Sequence, residues 1–153
     1  MSGIDGRGRR HVISLKSGGK ALVIDESYNA NPASMKATLQ HFTVEPCTGR
    51  KILILGAMGE LGDQSAQFHT ALADDILPCG AAAIILVGDD MAHTAAKLEQ
   101  SLDQGVKMSH AESASAALAE AAKLIGDGDV ILIKGSNYLG LSSAVSALVN
   151  GEY

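Results

Sequence analysis

The stretch ALVIDESYNANP, residues 21–32, decides the fold of this chain. Its first four residues are apolar and predict a buried strand. Its last two, Asn31 and Pro32, predict a helix start, because Asn is among the best N-cap residues and Pro fits the first helical position. The polar residues between them follow the carboxyl end of a strand, where open α/β sheets bind ligands. Local chemistry leaves two interpretations open: a ligand-binding loop, or an ordinary polar loop with a good cap.

The pattern on both sides of this stretch alternates between short apolar runs and helix-period segments. Ser17-Gly18-Gly19 separates the first two runs and predicts a hairpin. We predict strands at residues 11–16, 20–25, 51–55, 82–87, 106–108 and 130–133. We predict helices that start at Pro32, after Asp63, at residue 89 or 90, at Ser113 and at Leu139.

This alternation predicts an α/β fold: a Rossmann-like, three-layer domain with a mainly parallel sheet and helices on both faces, preceded by the N-terminal hairpin. The length of 153 residues suits one domain, and we expect residues 1–153 to form it. Aromatic residues make up only 3% of the chain, so aliphatic side chains must fill the core.

Composition narrows the classes of protein to consider. The longest apolar run, residues 81–87, is far shorter than the roughly 20 residues that span a bilayer, and no signal-peptide pattern opens the chain. Cys47 and Cys79 form no disulfide framework at this length, so we expect free thiols and a cytoplasmic location.

The formal net charge of −5 disfavours non-specific nucleic-acid binding, which depends on Lys and Arg at phosphates. The segment GRGRRH, residues 6–11, is a local exception with three Arg in four residues. Two interpretations stay open for this segment: a flexible basic arm, or an Arg that faces a phosphate.

Three polar loops follow predicted strands, at residues 25–32, 56–62 and 134–137, and we expect them to converge at one edge of the sheet. The second loop has the spacing G-x-x-G-x-x-G, whereas dinucleotide-binding loops have G-x-G-x-x-G, which disfavours a nicotinamide or flavin oxidoreductase. No Walker A sequence is present, so nothing in these 153 residues is recognisable as a grip on the β- and γ-phosphates.

Lys134-Gly135-Ser136 places an ammonium and a hydroxyl at the end of a strand, which suits a carboxylate or a phosphate. The alternative is a lysine with its head in solvent. His69 follows the glycine loop and is either a polar residue at the edge of its helix or directed toward Glu60. We expect no metal site, because no other His or Cys shares helical spacing with His69, and no G-x-S-x-G elbow indicates a serine hydrolase.

Taken in order, five segments resemble the C-terminal domain of the Mur ligases, and within that family the D-alanyl-D-alanine-adding branch. They are GRG at residues 6–8, DESYNANPASM at 25–35, G-x-M-x-E-L-G at 56–62, S-x-x-x-H at 65–69 and KGS at 134–136. The resemblance runs from about residue 6 to residue 148. Other Mur ligases and folylpolyglutamate ligases are the alternatives within this class, but their loops do not usually contain SYNANP.

The resemblance implies an ATP-dependent ligase of three domains. The first binds UDP-N-acetylmuramoyl-tripeptide, the second carries the P-loop, and the third closes over the site and helps to bind ATP and the incoming dipeptide. The substrate carboxylate is phosphorylated, the amine of D-Ala-D-Ala attacks the acyl phosphate, and Mg²⁺ neutralises the phosphates.

Carried over residue by residue, the resemblance implies an ATP-binding set and a substrate-binding set, with no catalytic residue and no metal ligand in this chain. Arg7 is expected near the ATP phosphates and Asp25 or Glu26 at the ribose, with Asn29 and Asn31 as the asparagine pair of their loop. Lys134 and Ser136 border the dipeptide pocket, and Glu60 and His69 match positions that we place with the substrate-binding set without a specific role.

Two positions depart from the family pattern: Ala57 stands where an Asp is usual, and Asn137 where an Arg is usual. The P-loop and UDP-sugar domains are not among these 153 residues, so we expect that this chain alone does not catalyse ligation. The alternative is a stand-alone or degenerate nucleotide- or dipeptide-binding module without ligase activity.

Overall fold

The computed structural model describes residues 8–153, in which six strands and five α-helices alternate. Arg7 lies outside the described residues. The strands are β1 (Arg9–Ser14), β2 (Lys20–Glu26), β3 (Lys51–Gly56), β4 (Ala83–Val87), β5 (Lys107–Ala111) and β6 (Val130–Lys134). The helices are α1 (Pro32–Thr43), α2 (Ser65–Ile76), α3 (Met91–Glu99), α4 (Ala114–Leu124) and α5 (Leu141–Asn150).

The strands form one sheet in the order β1-β2-β6-β3-β4-β5. β1 pairs antiparallel with β2 as a hairpin, and every other pair is parallel. The predicted α/β fold, with its mainly parallel sheet and N-terminal hairpin, is confirmed.

Two apolar layers hold the helices to the sheet. One face packs against α1, α2 and α3, through side chains such as Met35, Leu72 and Leu98. The other packs against α4 and α5, through Ala117 and Leu148 among others. Strands β4 and β6 are buried along their whole length, as expected for parallel strands that are covered on both faces. The helix stripe at Met35, Leu39 and Phe42 is buried as its spacing predicts.

The connections of β3 and β6 create a crevice between these neighbouring strands. After β3 the chain enters α2 on one face of the sheet, and after β6 it enters α5 on the opposite face. A point where adjacent strands send their helices to opposite faces is the usual ligand site of an open α/β sheet. The loops at residues 56–62 and 134–140 border this crevice.

Several local predictions need correction. The interpretation of residues 6–11 as a flexible arm is wrong for Arg9 and Arg10, which lie in β1, and the Arg10 guanidinium makes two 2.8 Å hydrogen bonds with Glu45. The cap predicted at Asp63 is also wrong. Asp63 lies within a 3-10 turn, and α2 begins after Gln64 without a side-chain cap.

Both cysteines are free thiols, as predicted; Cys79 is buried and Cys47 half-buried. Burial raises the pKa of the Cys79 thiol. Within residues 8–153, no helix has both the length and the apolar character needed to cross a bilayer.

The buried carboxylate of Asp129 fixes the turn before β6. It accepts hydrogen bonds from the backbone N–H of Arg50 at 2.8 Å and of Gly126 at 2.8 Å, and it forms an ion pair with the Arg50 guanidinium at 3.3 Å. Two strand starts and one turn therefore depend on a single side chain.

We predict that Asp129→Ala lowers the free energy of unfolding by about 3 kcal/mol, because it removes a buried charged acceptor of two backbone hydrogen bonds and breaks the ion pair with Arg50. Urea denaturation measures this change. The exposed Asp103 provides the matched control, and Asp103→Ala should stay within about 0.5 kcal/mol of the wild type. Equal losses in the two variants would contradict the assignment.

Candidate functional site

The loop after β2 is shaped by the cap of α1. The Asn31 side-chain oxygen accepts from the Ser34 backbone N–H at 2.9 Å, and the Ser34 hydroxyl accepts from the Asn31 N–H at 3.1 Å. This is a capping box with Pro32 as the first helical residue, so the predicted helix start is confirmed. The Asn31 side-chain oxygen therefore has a role in helix geometry, and the expected ATP contact of Asn31 stays a prediction.

The two adjacent carboxylates of this loop have different surroundings. Asp25 is buried, and its Oδ1 accepts from the Ser27 N–H at 3.0 Å and from the Ser27 hydroxyl at 2.5 Å. Glu26 is half-buried and lines a cavity of about 230 Å³ between β2 and α1, together with Gly8, Thr38 and residues of the α1 end. Of the pair, Glu26 is the more exposed carboxylate, although Asp25 borders a cavity on the opposite face of β2.

Lys134 joins the loop after β2 to the end of β6. Its side chain is buried, and its Nζ donates to the Asn29 carbonyl at 3.1 Å. Burial lowers the pKa of Lys134, and the nearby Glu26 carboxylate partly opposes that effect. The alternative of a lysine head in solvent is therefore wrong. Lys134 supports the loop from within the protein, and Asn29 accepts from the Ala30 N–H through its own side chain at 2.8 Å.

The loops after β3 and β6 touch each other through glycines. A Cβ on Gly135 would lie 2.8 Å from the Gly56 Cα and 2.6 Å from a Leu141 methyl carbon. Real Cβ atoms do not approach backbone that closely, so these glycines permit loop-to-loop contact. The Ser136 N–H donates to the Ala57 carbonyl at 3.2 Å and completes the junction. The predicted convergence of the three polar loops is thus present as direct contacts.

The Ser136 hydroxyl is buried beside the glycine loop. Ser136 is only 5% exposed, and among residues 8–153 its Oγ has no hydrogen-bond partner. A Cβ on Gly59 would lie 3.2 Å from this Oγ and 3.4 Å from the ring of Tyr138. Buried hydroxyls normally have partners, so an orphan one at a crevice indicates where a polar ligand atom can bind.

His69 lies beneath the glycine loop and is fully buried. Its Nε2 accepts from the Met58 N–H at 2.9 Å, and its Nδ1 lies 2.7 Å from the Ser65 carbonyl oxygen. The predicted direction toward Glu60 is wrong. With both ring nitrogens engaged inside the protein, His69 has no free polar atom for the direct substrate contact that we expected.

Glu60 is exposed and has a φ of 60°, the left-handed region that non-glycine residues rarely adopt. It is the one non-glycine residue with positive φ in the part of the chain that the structure describes. Such backbone persists where the surroundings impose it, and it is concentrated at functional sites.

Sequence reasoning missed the loop after β4. Asp90 accepts from the Ser65 hydroxyl at 2.9 Å. Partial desolvation raises the pKa of the largely exposed Tyr138, and the charges of Asp90 and Asp89 raise that pKa further. No pattern in the sequence links these residues, because only the packing of α2 beside α3 brings them together.

Residues 8–153 contain no group of three or more His, Cys, Asp and Glu side chains that could hold a metal ion.

Comparison with known proteins agrees with this geometry. The family described as Mur ligase, glutamate ligase domain, matches residues 8–137, which is most of the chain. The chain belongs to this family.

Curated relatives of the Mur ligase family include two UDP-N-acetylmuramoyl-tripeptide–D-alanyl-D-alanine ligases. This chain is 30% identical to the ligase of Mycobacterium tuberculosis (strain CDC 1551 / Oshkosh), in a match that covers 92% of this chain. It is also 30% identical to the ligase of Bacillus subtilis (strain 168), in a match that covers 97% of this chain. These matches cover 31% and 32% of the relatives, so the chain spans about a third of their length.

Solved Mur ligase structures share the fold. MurF from Acinetobacter baumannii superposes with a TM-score of 0.79 at 28% identity, over 97% of this chain and 31% of that one. MurF ligase from Thermotoga maritima, solved in complex with ADP, superposes with a TM-score of 0.73 at 21% identity, over 99% and 32%.

The two residues that depart from the Mur ligase pattern differ in burial. Ala57 is fully buried, and its Cβ would be 2.9 Å from a Cβ on Gly88, so it packs under the loop after β4. Asn137 is exposed and lines a second cavity, of about 350 Å³, that Arg9 of β1 also lines. Arg9, on β1, therefore brings a guanidinium-bearing residue to the cavity that Asn137, in the turn after β6, also borders.

We predict that Gly135→Ala lowers the free energy of unfolding by about 1–3 kcal/mol, because the added methyl overlaps the Gly56 backbone. Thermal or urea unfolding measures the loss. Gly105 is the matched control: a Cβ there has open space, so Gly105→Ala should cause little or no loss. If Gly135→Ala is as stable as Gly105→Ala, the two loops do not touch as described.

We predict that Glu26→Gln lowers the pKa of Lys134 further, because it removes the carboxylate that opposes the effect of burial. The Lys134 Cε chemical shift, followed from about pH 8 to pH 11, reports this pKa. The exposed Glu99 is the control, and Glu99→Gln should leave the titration unchanged. An unchanged Lys134 titration in Glu26→Gln would show that the two groups are not coupled.

Proposed function

We propose that this chain is the C-terminal domain of an ATP-dependent ligase that adds D-Ala-D-Ala to UDP-N-acetylmuramoyl-tripeptide in cytoplasmic peptidoglycan precursor synthesis. In this proposal it contributes to nucleotide and dipeptide binding when the domains close. One observation carries the proposal: the loops that hold Glu26, Gly59 and Ser136 meet at the crevice between β3 and β6, in a chain whose relatives have this activity.

Glu26 is the residue that we propose for nucleotide binding. Its accessible carboxylate can accept hydrogen bonds from ribose hydroxyls, whereas the Asp25 carboxylate is committed to Ser27. The cavity beside Glu26, at about 230 Å³, is smaller than the 300–1,000 Å³ of typical ligand pockets. It therefore suits part of a nucleotide, with the remaining contacts made by a partner domain. Arg7, next to Gly8, is proposed to reach the phosphates.

The dipeptide side rests on Ser136. Its buried hydroxyl, without a partner among the described residues, can pair with a carboxylate or amide of D-Ala-D-Ala above Gly59. The exposed Glu60 carboxylate follows on the same loop and can attract the dipeptide ammonium before it loses its proton. Lys134 and Asn29 support the pocket from below and are not proposed to touch the dipeptide.

These residues bind and orient; they do not perform the phosphoryl transfer. Holding the attacking amine in line with the acyl phosphate increases the reaction rate, because correct orientation removes much of the entropic barrier. The acyl phosphate itself would form at the P-loop domain, so the 153-residue chain alone is proposed to be inactive. The alternative is a stand-alone or degenerate binding module.

A chimera tests the proposal. The C-terminal third of the Bacillus subtilis relative is replaced by this chain, and phosphate release is measured with ATP, D-Ala-D-Ala and the UDP-tripeptide. We expect turnover that requires all three substrates, and none from the chain alone. Glu26→Gln should raise the KM for ATP by about tenfold, and Ser136→Ala should raise the KM for D-Ala-D-Ala by a similar factor.

Matched controls are Glu99→Gln and Ser101→Ala, both at exposed positions, which should leave both KM values unchanged. A chimera that folds cooperatively but shows no turnover would favour the binding-module alternative. Turnover by the 153-residue chain alone would contradict the proposed dependence on other domains.

A further inference from the structure

The hydrogen bonds of His69 determine its protonation state. The Ser65 carbonyl oxygen, 2.7 Å from Nδ1, can only accept, so Nδ1 must carry the proton. The Met58 N–H, 2.9 Å from Nε2, can only donate, so Nε2 must be the acceptor. The ring is therefore a neutral imidazole with its proton on Nδ1.

Polar contacts surround His69. The Ser65 hydroxyl, one turn earlier on α2, lies 3.1 Å from Nδ1 and donates to Asp90 in the loop after β4 at 2.9 Å. The buried Thr94 hydroxyl of α3 donates to the His69 backbone carbonyl at 2.6 Å and fixes α2 at this residue. The ring itself is oriented by Ser65 on one side and Met58 on the other.

The Met58 N–H depends on this imidazole. The side chain of Met58 is 1% exposed, and a buried backbone N–H without an acceptor is costly. Gly59 follows directly and faces the Ser136 hydroxyl, and Glu60 then takes its positive φ. The path of residues 58–60 past Ser136 is thus fixed at its start by His69.

We propose that His69 is a positioning residue: it holds Met58 and Gly59 against Ser136 and so sets the width of the crevice between β3 and β6. The consequence for the dipeptide pocket rests on the proposed function, whereas the placement of the loop does not. A hydrophobic residue at this position could fill the core but would leave the Met58 N–H unpaired.

The tautomer is the first test, made on the intact 153-residue chain. Long-range ¹H–¹⁵N correlation spectra distinguish the two ring nitrogens of a neutral histidine. We expect a protonated Nδ1 and an unprotonated Nε2 for His69. A proton on Nε2 would break the bond to Met58 and overturn the proposal, and this measurement needs no variant to fold.

Substitution is the second test. In His69→Leu, which fills the core but carries no acceptor, we expect the Met58 amide to exchange with solvent about tenfold faster or more, and the Gly59 and Ser136 amide signals to shift, while the β4 amides keep their protection. His93→Leu, at an exposed position on α3, is the matched control. Unchanged Met58 and Ser136 amides in a folded His69→Leu would overturn the proposal. If that variant does not fold, the Met58 amide of the wild type must still show strong protection.

A ligand titration separates the two proposals. With D-Ala-D-Ala as probe, we expect His69→Leu to weaken the response at Gly59 and Ser136 about fivefold or more, while the response at Glu26 to ADP stays as in the wild type. Equal dipeptide responses in wild type and His69→Leu would overturn the positioning role. A wild type without any dipeptide response would contradict the proposed dipeptide site, while the tautomer and exchange data would still decide the role of His69.

Discussion

The contact between the backbones of Gly56 and Gly135 is the constraint on which the site depends. Strands β3 and β6 are neighbours, but their helices lie on opposite faces of the sheet, so their loops must pass each other at close range. Only residues without a Cβ permit this approach, and the Ser136–Ala57 hydrogen bond then locks the two loops together. The crevice keeps its shape because its floor is packed backbone.

Two buried polar side chains support the loops from inside the protein. Lys134 holds the loop after β2, and His69 holds the loop after β3, each by a hydrogen bond to a backbone group. Burial of a charged or polar group is unfavourable unless the group is hydrogen-bonded, and these two hydrogen bonds to the backbone offset the unfavourable term. The groups left for the proposed ligand contacts are few, chiefly the half-buried Glu26 and the buried, unpartnered hydroxyl of Ser136 beside Gly59.

Much of the fold could be predicted from the sequence. Strand and helix positions follow from hydrophobic periodicity, and the start of α1 follows from Asn31 and Pro32, whose preferences are local. The failures are equally physical. Asp63 has good capping chemistry, but a 3-10 turn takes up its position. Arg9 and Arg10 are charged residues with little tendency to be buried, so the local sequence did not indicate a strand there. Both lie in β1 because this segment pairs with β2.

Hydrophobic periodicity and capping preferences define the order of the elements, the capped helix after β2 and the set of polar loops, because these depend on neighbours within a few residues. The surroundings of two adjacent carboxylates come from the tertiary structure alone. Asp25 and Glu26 point to opposite faces of β2, where Glu26 lines a cavity beside α1 and the buried Asp25 lines one beside α5. The tertiary structure also decided that His69 supports the loop, since its partners Met58 and Asp90 come from separate elements whose approach no local pattern encodes.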